Sequence, residues 1–355
     1  MSESLGAYWL KLPLASPYRL SFGTVYSYDS FIVLIPVDEG FVWGEATALP
    51  GYSWETADSI WSNILHCIKR ADDDIDVLEK EASALQESSP FAASALLTAI
   101  EKYNGLIDYD LPRMEEGIPL AGFVGGKEEK DISTQVEGLI GCGYCTLKIK
   151  LSRDVKDDVR RIQLIQGLID PPVKIRLDAN QAYTVEMVKY LEDNIQADTV
   201  ELLEQPFGKD EWQRIESLAK WIPIPIMLDE SIWSAEDIRR ASECGVSLIK
   251  LKLVKHGSIL RTCDLIDQAR GRGLDVVLGN GVQTDFGCID ECYVYVRKQI
   301  SRAGEMNGFL KMRNPLLPAI LTSRDDKAVV ARIHQPIAYE KFKLSDKYMS
   351  KQFHL

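Results

Sequence analysis

The feature that most constrains this chain is a rhythm. Short apolar runs return about every 25 residues, and each ends in a charged side chain: CTLKIK at Lys150, VKIRLD at Asp178, TVELLE at Glu204, IPIMLD at Asp229 and SLIKLK at Lys252. An interval of that length holds one strand, one helix and two short loops. Five successive β/α units therefore each put a charge at a strand's C-terminal end. Units of this kind close into a (β/α)8 barrel, where those ends converge on the active-site face. The order is Lys, acid, acid, acid, Lys. It offers three oxygen ligands for a hard divalent cation, flanked by two proton carriers.

At 355 residues the chain holds one barrel of about 250 residues and roughly 100 more. The net charge of −12 argues against nucleic acid or an anionic membrane as partner. No apolar run approaches the ~20 residues of a membrane span. The N-terminus MSESLGAYWLKLPLAS lacks the basic start and apolar stretch of a signal peptide, so a cytoplasmic protein is expected. Seven scattered cysteines fit reduced thiols. Cys142 and Cys145 lack the second ligand pair of a zinc site and read as inert packing thiols.

Residues 1–115 do not share the rhythm. YWLKLPLA, SFIVLIPVD and GFVWGEATAL read as strands, with a turn around Glu39-Gly40. TADSIWSNILHCIKR and SPFAASALLTAIEKYNGLI read as helices, and the acidic ADDDIDVLEKEASALQ as a solvated, helix-prone segment. This is an α+β domain. Residues 116–324 form the barrel. GIPLAGFVGG is its first strand, LDVVLGN its seventh and AGEMNG a brief eighth. The tail, 325–355, has no further unit and is expected to pack back on the N-terminal domain.

On this count Lys150 ends strand two and Lys252 strand six, diametrically opposed in an eight-strand ring. Asp178, Glu204 and Asp229 end strands three, four and five, on the arc between them. A ligand held on an acid-bound cation then has a lysine on each face. That suits removal of a proton beside a carboxylate, with the cation stabilising the enediolate. Lys148 shares a face with Lys150. Two ammonium groups so close disfavour each other's charge, which would bring a lysine toward the range of a general base. Lys250 repeats this alternation beside Lys252, and spacing alone leaves the two tied.

The motifs KIK, LDAN, LLEQPF, LDES and KLVKHG together resemble those of the enolase superfamily, in particular its muconate-lactonizing-enzyme subgroup. The resemblance runs along essentially the whole chain, and VWGEA is similar to part of the family's capping domain. It implies a (β/α)8 barrel with an N-terminal α+β cap completed by the C-terminal tail. It implies Mg2+ on Asp178, Glu204 and Asp229, and Lys150 and Lys252 as the acid/base pair. Lys148 would touch the substrate carboxylate and tune Lys150. The KLxKxG pattern selects Lys252 over Lys250. The seventh strand has no histidine, unlike the mandelate-racemase-like subgroup. Dipeptide epimerases of the subgroup have D-x-D at strand eight, against the substrate's ammonium group; here the stretch is Glu305-Met306-Asn307.

Any one acid after a strand reads as a helix cap or loop residue; five charges in register read as a site. Asn180, Gln205 and Glu230 are candidates for orienting the ligands. Glu305, Asn307, Asn280, Tyr26, Tyr52 and Trp54 are candidate substrate contacts, the aromatics together with Phe22 and Tyr28 from loops of the first domain. His256 reads as a loop histidine near the barrel mouth. The expected activity is Mg2+-dependent removal of a proton α to a carboxylate. Racemisation or epimerisation of an amino-acid derivative or related acid comes first. β-Elimination (a dehydratase or an o-succinylbenzoate-synthase-like step) and muconate-type cycloisomerisation are alternatives. A catalytically silent binding barrel is the reading from another class. The partner is a small carboxylate substrate, and a homo-oligomer is admitted.

Overall fold

The structure is a computed structural model and describes residues 4–20, 23–38, 40–48, 51–279, 282–331, 337 and 348–355. Three strands open the chain: β1 (Gly6–Leu20), β2 (Gly23–Val37) and β3 (Gly40–Ala48). They pair antiparallel in the order β1-β2-β3. Side chains alternate across a strand, and here both faces are buried. Tyr8, Leu10, Leu12, Ile32, Leu34 and Trp43 join the core shared with the barrel. Ala7, Trp9, Phe31, Val33, Ile35 and Val42 join a second core with the helices Ala57–Ala71, Ile75–Ala84 and Pro90–Tyr103. The last of these lies directly on β3. A Cβ at Gly44 would come within 1.8 Å of the Ala95 carbonyl oxygen, so only glycine allows that approach. The acidic segment forms the middle helix, burying Leu78 and Ala82 and leaving its acids in solvent.

The expected first barrel strand is split. β4 (Ile118–Pro119) leaves the barrel, and β5 (Gly122–Val124) begins it. β6 (Thr146–Lys150), β7 (Lys174–Asp178), β8 (Val200–Glu204), β9 (Ile226–Leu228), β10 (Leu248–Leu251) and β11 (Asp275–Leu278) follow in spatial order, all parallel. Helices between them bury one stripe each, for example Val159, Ile162 and Ile165 of Val155–Gln166. The eighth staff of the barrel is a contact rather than a ladder. Gly304 bridges Leu120, Ala121 N–H donates to the Gly304 carbonyl at 2.9 Å, and Glu305 N–H donates to the Leu278 carbonyl at 3.0 Å. These bonds tie β11 to the first strand and close the ring. The fold is thus a modified (β/α)8 barrel with an N-terminal antiparallel sheet domain, as the spacing predicts.

Beyond the barrel, β12 (Leu321–Arg324) and β13 (Lys327–Val330) form a hairpin that pairs with β4. β14 (Met349–His354) pairs antiparallel with β1 and adds a fourth strand to the N-terminal sheet. All seven cysteines are free. Cys142 and Cys145 are exposed, not packed, because the Cys-Gly-Tyr-Cys turn sits on the surface before β6. No helix among the described residues is long and apolar enough to cross a membrane.

Candidate active site

Register lines up the charges. Lys150 pairs with Asp178 across β6 and β7, and Asp178 with Glu204 across β7 and β8. Asp229 and Lys252 follow directly on β9 and β10. Below this ring Leu202, Met227, Leu248 and Val277 form a small apolar cluster in the barrel interior, with Leu202 and Met227 two residues beneath Glu204 and Asp229 on their strands. On the other site strands the same inward position carries a cation: Lys148 beneath Lys150, Arg176 beneath Asp178 and Lys250 beneath Lys252.

The acids are not gathered around one point. Among the described residues, no three His, Cys, Asp or Glu side chains are placed to hold one metal ion. Ammonium groups stand between them instead. Lys148 Nζ lies 2.9 Å from Asp178 Oδ2 and 2.8 Å from Glu204 Oε2. Lys250 Nζ donates to Glu204 Oε1 at 2.5 Å, and Lys252 Nζ to Asp229 Oδ2 at 2.7 Å. The reason is physical: buried carboxylates repel one another, and their nearest cations here are the lysines on neighbouring strands.

Protonation follows from these pairs. Burial opposes charge on Asp229, yet Lys252, Lys255 and Lys250 hold its carboxyl well below the usual range. Burial and Asp178 raise Glu204, against Lys148 and Lys250. Burial, then Asp229 and Asp178, push Glu230 up to about 7. Burial works against the ammonium form of Lys148, but Asp178, Glu204 and Glu305 carry it well above its ordinary value. Lys252 is likewise raised against burial, by Asp229 above all.

Supporting groups hold the ring. Gln205 Oε1 accepts from the backbone N–H of Asp229 at 3.0 Å and of Ser231 at 3.2 Å, while its amide donates to Ser231 Oγ at 2.8 Å. Asn180 donates its backbone N–H to Asp178 Oδ1 at 3.1 Å and its side-chain amide to Glu230 Oε1 at 3.2 Å. Both residues have positive φ, 41° for Asn180 and 38° for Gln205. Strained backbone of this kind is kept where geometry serves a site.

The N-terminal domain reaches in through Tyr52. Its hydroxyl donates to Asp229 Oδ1 at 2.9 Å and accepts from Lys252 Nζ at 2.8 Å. Trp54 is 58% exposed, rests on Trp233 with ring centroids 4.9 Å apart, and donates to the Ser88 carbonyl. Tyr26 is 69% exposed and faces solvent. Tyr28 is buried in the core. His256 is buried, with burial and Lys255 pushing its imidazole well below the usual value. Asn307 lies just past Glu305 and donates its N–H to the Glu305 carbonyl. Asn280 and Phe22 lie outside the described residues.

Several functional neighbours were not singled out from sequence. Lys255 donates to the Asp229 carbonyl at 2.6 Å, and burial lowers it to about 7. Arg176, fully buried, grips Glu201 through Nε at 2.7 Å and Nη2 at 3.2 Å. Its signal was its place two residues before Asp178, on the same strand face.

A divalent cation fits the residues present in kind. Asp178, Glu204 and Asp229 are hard oxygen donors from three consecutive strands, all nearly fully buried. The unpartnered Glu230 Oε2 and the raised Glu204 and Glu230 mark an excess of negative charge beside them.

Fold and site together define a capped barrel with a carboxylate-and-lysine ring at its mouth. Residues 131–302 match the enolase C-terminal domain-like family. The chain is 29% identical to the L-Ala-D/L-Glu epimerase of Bacillus subtilis over 301 residues, 78% of this chain and 80% of that one. It is 27% identical to the o-succinylbenzoate synthase of Geobacillus kaustophilus over 306 residues, covering 78% of this chain and 77% of that one. The solved dipeptide epimerase of Enterococcus faecalis, a complex with Mg and the dipeptide L-Leu-L-Tyr, shares the fold. Its TM-score is 0.78 at 21% identity, with 92% and 96% of the two chains covered. By these matches the chain resembles the isomerases and lyases of the enolase superfamily, in particular its muconate-lactonizing subgroup.

Proposed function

We propose that this enzyme removes a proton α to a carboxylate in a Mg2+-dependent reaction and returns one to the opposite face, racemising or epimerising an amino-acid derivative or a related acid. The observation that carries this reading is the placement of β6 and β10 four strands apart in the ring, with the three acid-bearing strands β7, β8 and β9 between them or adjoining. Lys150 and Lys252 then address a bound acid from opposite sides. Asp178, Glu204 and Asp229 would hold Mg2+, which supplies positive charge against the negative charge building on the substrate carboxylate. A structural relative complexed with Mg and a dipeptide supports the cation. Tyr52 and Gln205 orient Lys252 and Asp229. Lys148, held between Asp178 and Glu204, presents positive charge to the substrate carboxylate.

The test is exchange of the α-proton in D2O with Mg2+ and a panel of carboxylic acids. Lys150→Ala and Lys252→Ala should each abolish exchange from one stereochemical face, by about 100-fold or more. Equal loss from both faces would refute the two-base arrangement. The similarity to an o-succinylbenzoate synthase supports β-elimination as second reading. Product mass separates the two: unchanged for epimerisation, lower by one water for dehydration.

A further inference from the structure

Glu305 stands on the short segment that closes the barrel, its side chain 12% exposed to the cavity. A carboxylate in that position draws a cation, and this one already has three. Lys250 Nζ donates to Oε2 at 2.8 Å, Lys148 Nζ to the same oxygen at 3.0 Å, and Arg176 Nη1 lies 3.5 Å from Oε1. Lys250 is held firmly. It is 1% exposed and also donates to Glu204 Oε1 at 2.5 Å. Its stem passes Gly279 on the neighbouring strand, where a Cβ would come within 2.7 Å of Lys250 Cδ and 2.9 Å of Cγ. Lysine at 250 and glycine at 279 are thus sterically matched. Lys250 is also not needed as the second base, because Lys252 sits on Asp229 one step nearer the mouth.

We propose that Lys250 is a resident ammonium group filling the cation site of Glu305, so that the substrate offers that end of the cavity a neutral group (an N-acylated amine or a hydroxyl) and not a free amine. The occupancy stands on its own, and the substrate clause rests on the proton-abstraction reading above. A free ammonium arriving beside Glu305 would meet three like charges and be repelled by each. An amide or hydroxyl meets no such repulsion and can accept hydrogen bonds from the lysines. Lys250 therefore acts as a specificity-determining residue by exclusion.

Two measurements test this. The first needs no activity: thermal unfolding with and without ethylammonium chloride, against sodium chloride at equal ionic strength. Ethylammonium should raise the Tm of Lys250→Ala by several degrees. It should leave wild type and Lys250→Ala/Glu305→Gln unchanged. Equal stabilisation of wild type, or none of Lys250→Ala, overturns the occupancy. Lys250→Met, which keeps most of the side-chain volume, serves the second measurement and covers poor folding of the alanine variant. It compares α-proton exchange for acids supplied in pairs, free amine against N-acetyl. Wild type should favour the acetylated member by about tenfold or more, and Lys250→Met should shrink that ratio to threefold or less. Equal use of both members by wild type, or an unchanged ratio in Lys250→Met, overturns the exclusion. Absence of exchange with every acid would refute proton abstraction and with it the substrate clause, while the ethylammonium result still decides the occupancy.

Discussion

Glu45, at the seam between sheet and barrel, and Glu204, at the barrel mouth, are each 1% exposed. Their partners differ in kind. Among the described residues, the donors to Glu45 are neutral: Ser30 Oγ at 2.8 Å, Thr47 Oγ1 at 3.0 Å, Thr284 N at 2.9 Å, Thr284 Oγ1 at 2.7 Å and Gly287 N at 2.7 Å. Three of these come from the start of the helix Asp285–Arg297, whose free N–H groups favour an anion. Glu204 is held by the ammonium groups of Lys148 and Lys250. Backbone N–H groups and packed hydroxyls cannot leave, so Glu45 works as a fixed latch between the two domains. The less buried Lys148 can swing away, so Glu204 is neutralised in part by a partner that an incoming cation can replace, while Lys250 stays fixed beside it. A buried charge meant to stay is met by rigid dipoles, and one meant to take part in binding keeps at least one mobile ion.

The sharpest way to break this contrast is to neutralise each acid. Glu204→Gln should lower α-proton exchange about 1,000-fold or more while shifting Tm by only a few degrees, because Lys148 and Lys250 keep Asp178 and Glu305 as partners. Glu45→Ala should do the reverse. It leaves buried N–H donors unmet and should cost about 3 kcal/mol in chemical denaturation. If Glu204→Gln unfolds the protein, or Glu45→Ala leaves stability intact, the distinction falls.

Tyr52 is the neutral partner within the mouth, linking Lys252 to Asp229. Tyr52→Phe should slow exchange on the face served by Lys252 about tenfold, the worth of one hydrogen bond to a charged group, with the other face unaffected. A uniform effect on both faces would place the hydroxyl's role elsewhere.

Glu101 gives the smallest effect and a sign to check. It takes N–H donation from Leu260 at 3.2 Å, and burial pushes its carboxyl up to about 7. Between about 4.5 and 7 the folded chain holds a proton that the unfolded chain has lost. This group's contribution to stability therefore falls as pH rises through that window. Glu101→Gln should flatten the fall, by about 1 kcal/mol, in denaturation curves taken at pH 5 and pH 7.5. An unchanged slope would show that neutral donors suffice to keep Glu101 ionised.

Much of the fold was legible because the barrel repeats. Lys150, Asp178 and Glu204 close their strands, and Asp229 and Lys252 follow theirs, where the apolar runs end. The split of GIPLAGFVGG was not legible, since Ile118 pairs with Ala328, more than 200 residues away. Neither was the near-complete burial of the helix Asp285–Arg297, which carries no clear apolar stripe because the N-terminal domain covers its outer side through Trp43, Lys102 and Tyr109.

By itself the sequence determined which charges stand at the strand ends and on which face, because strand alternation and unit length are local properties. Only the tertiary structure decided which charge answers which. Lys250 lies beside Lys252 in sequence and carries the same ammonium group. One turns down to Glu204 and Glu305, the other up to Asp229 and Tyr52. Ion pairs and hydrogen bonds act through space, over a few ångströms, between residues as far apart as 52 and 252, and no spacing along the chain encodes them.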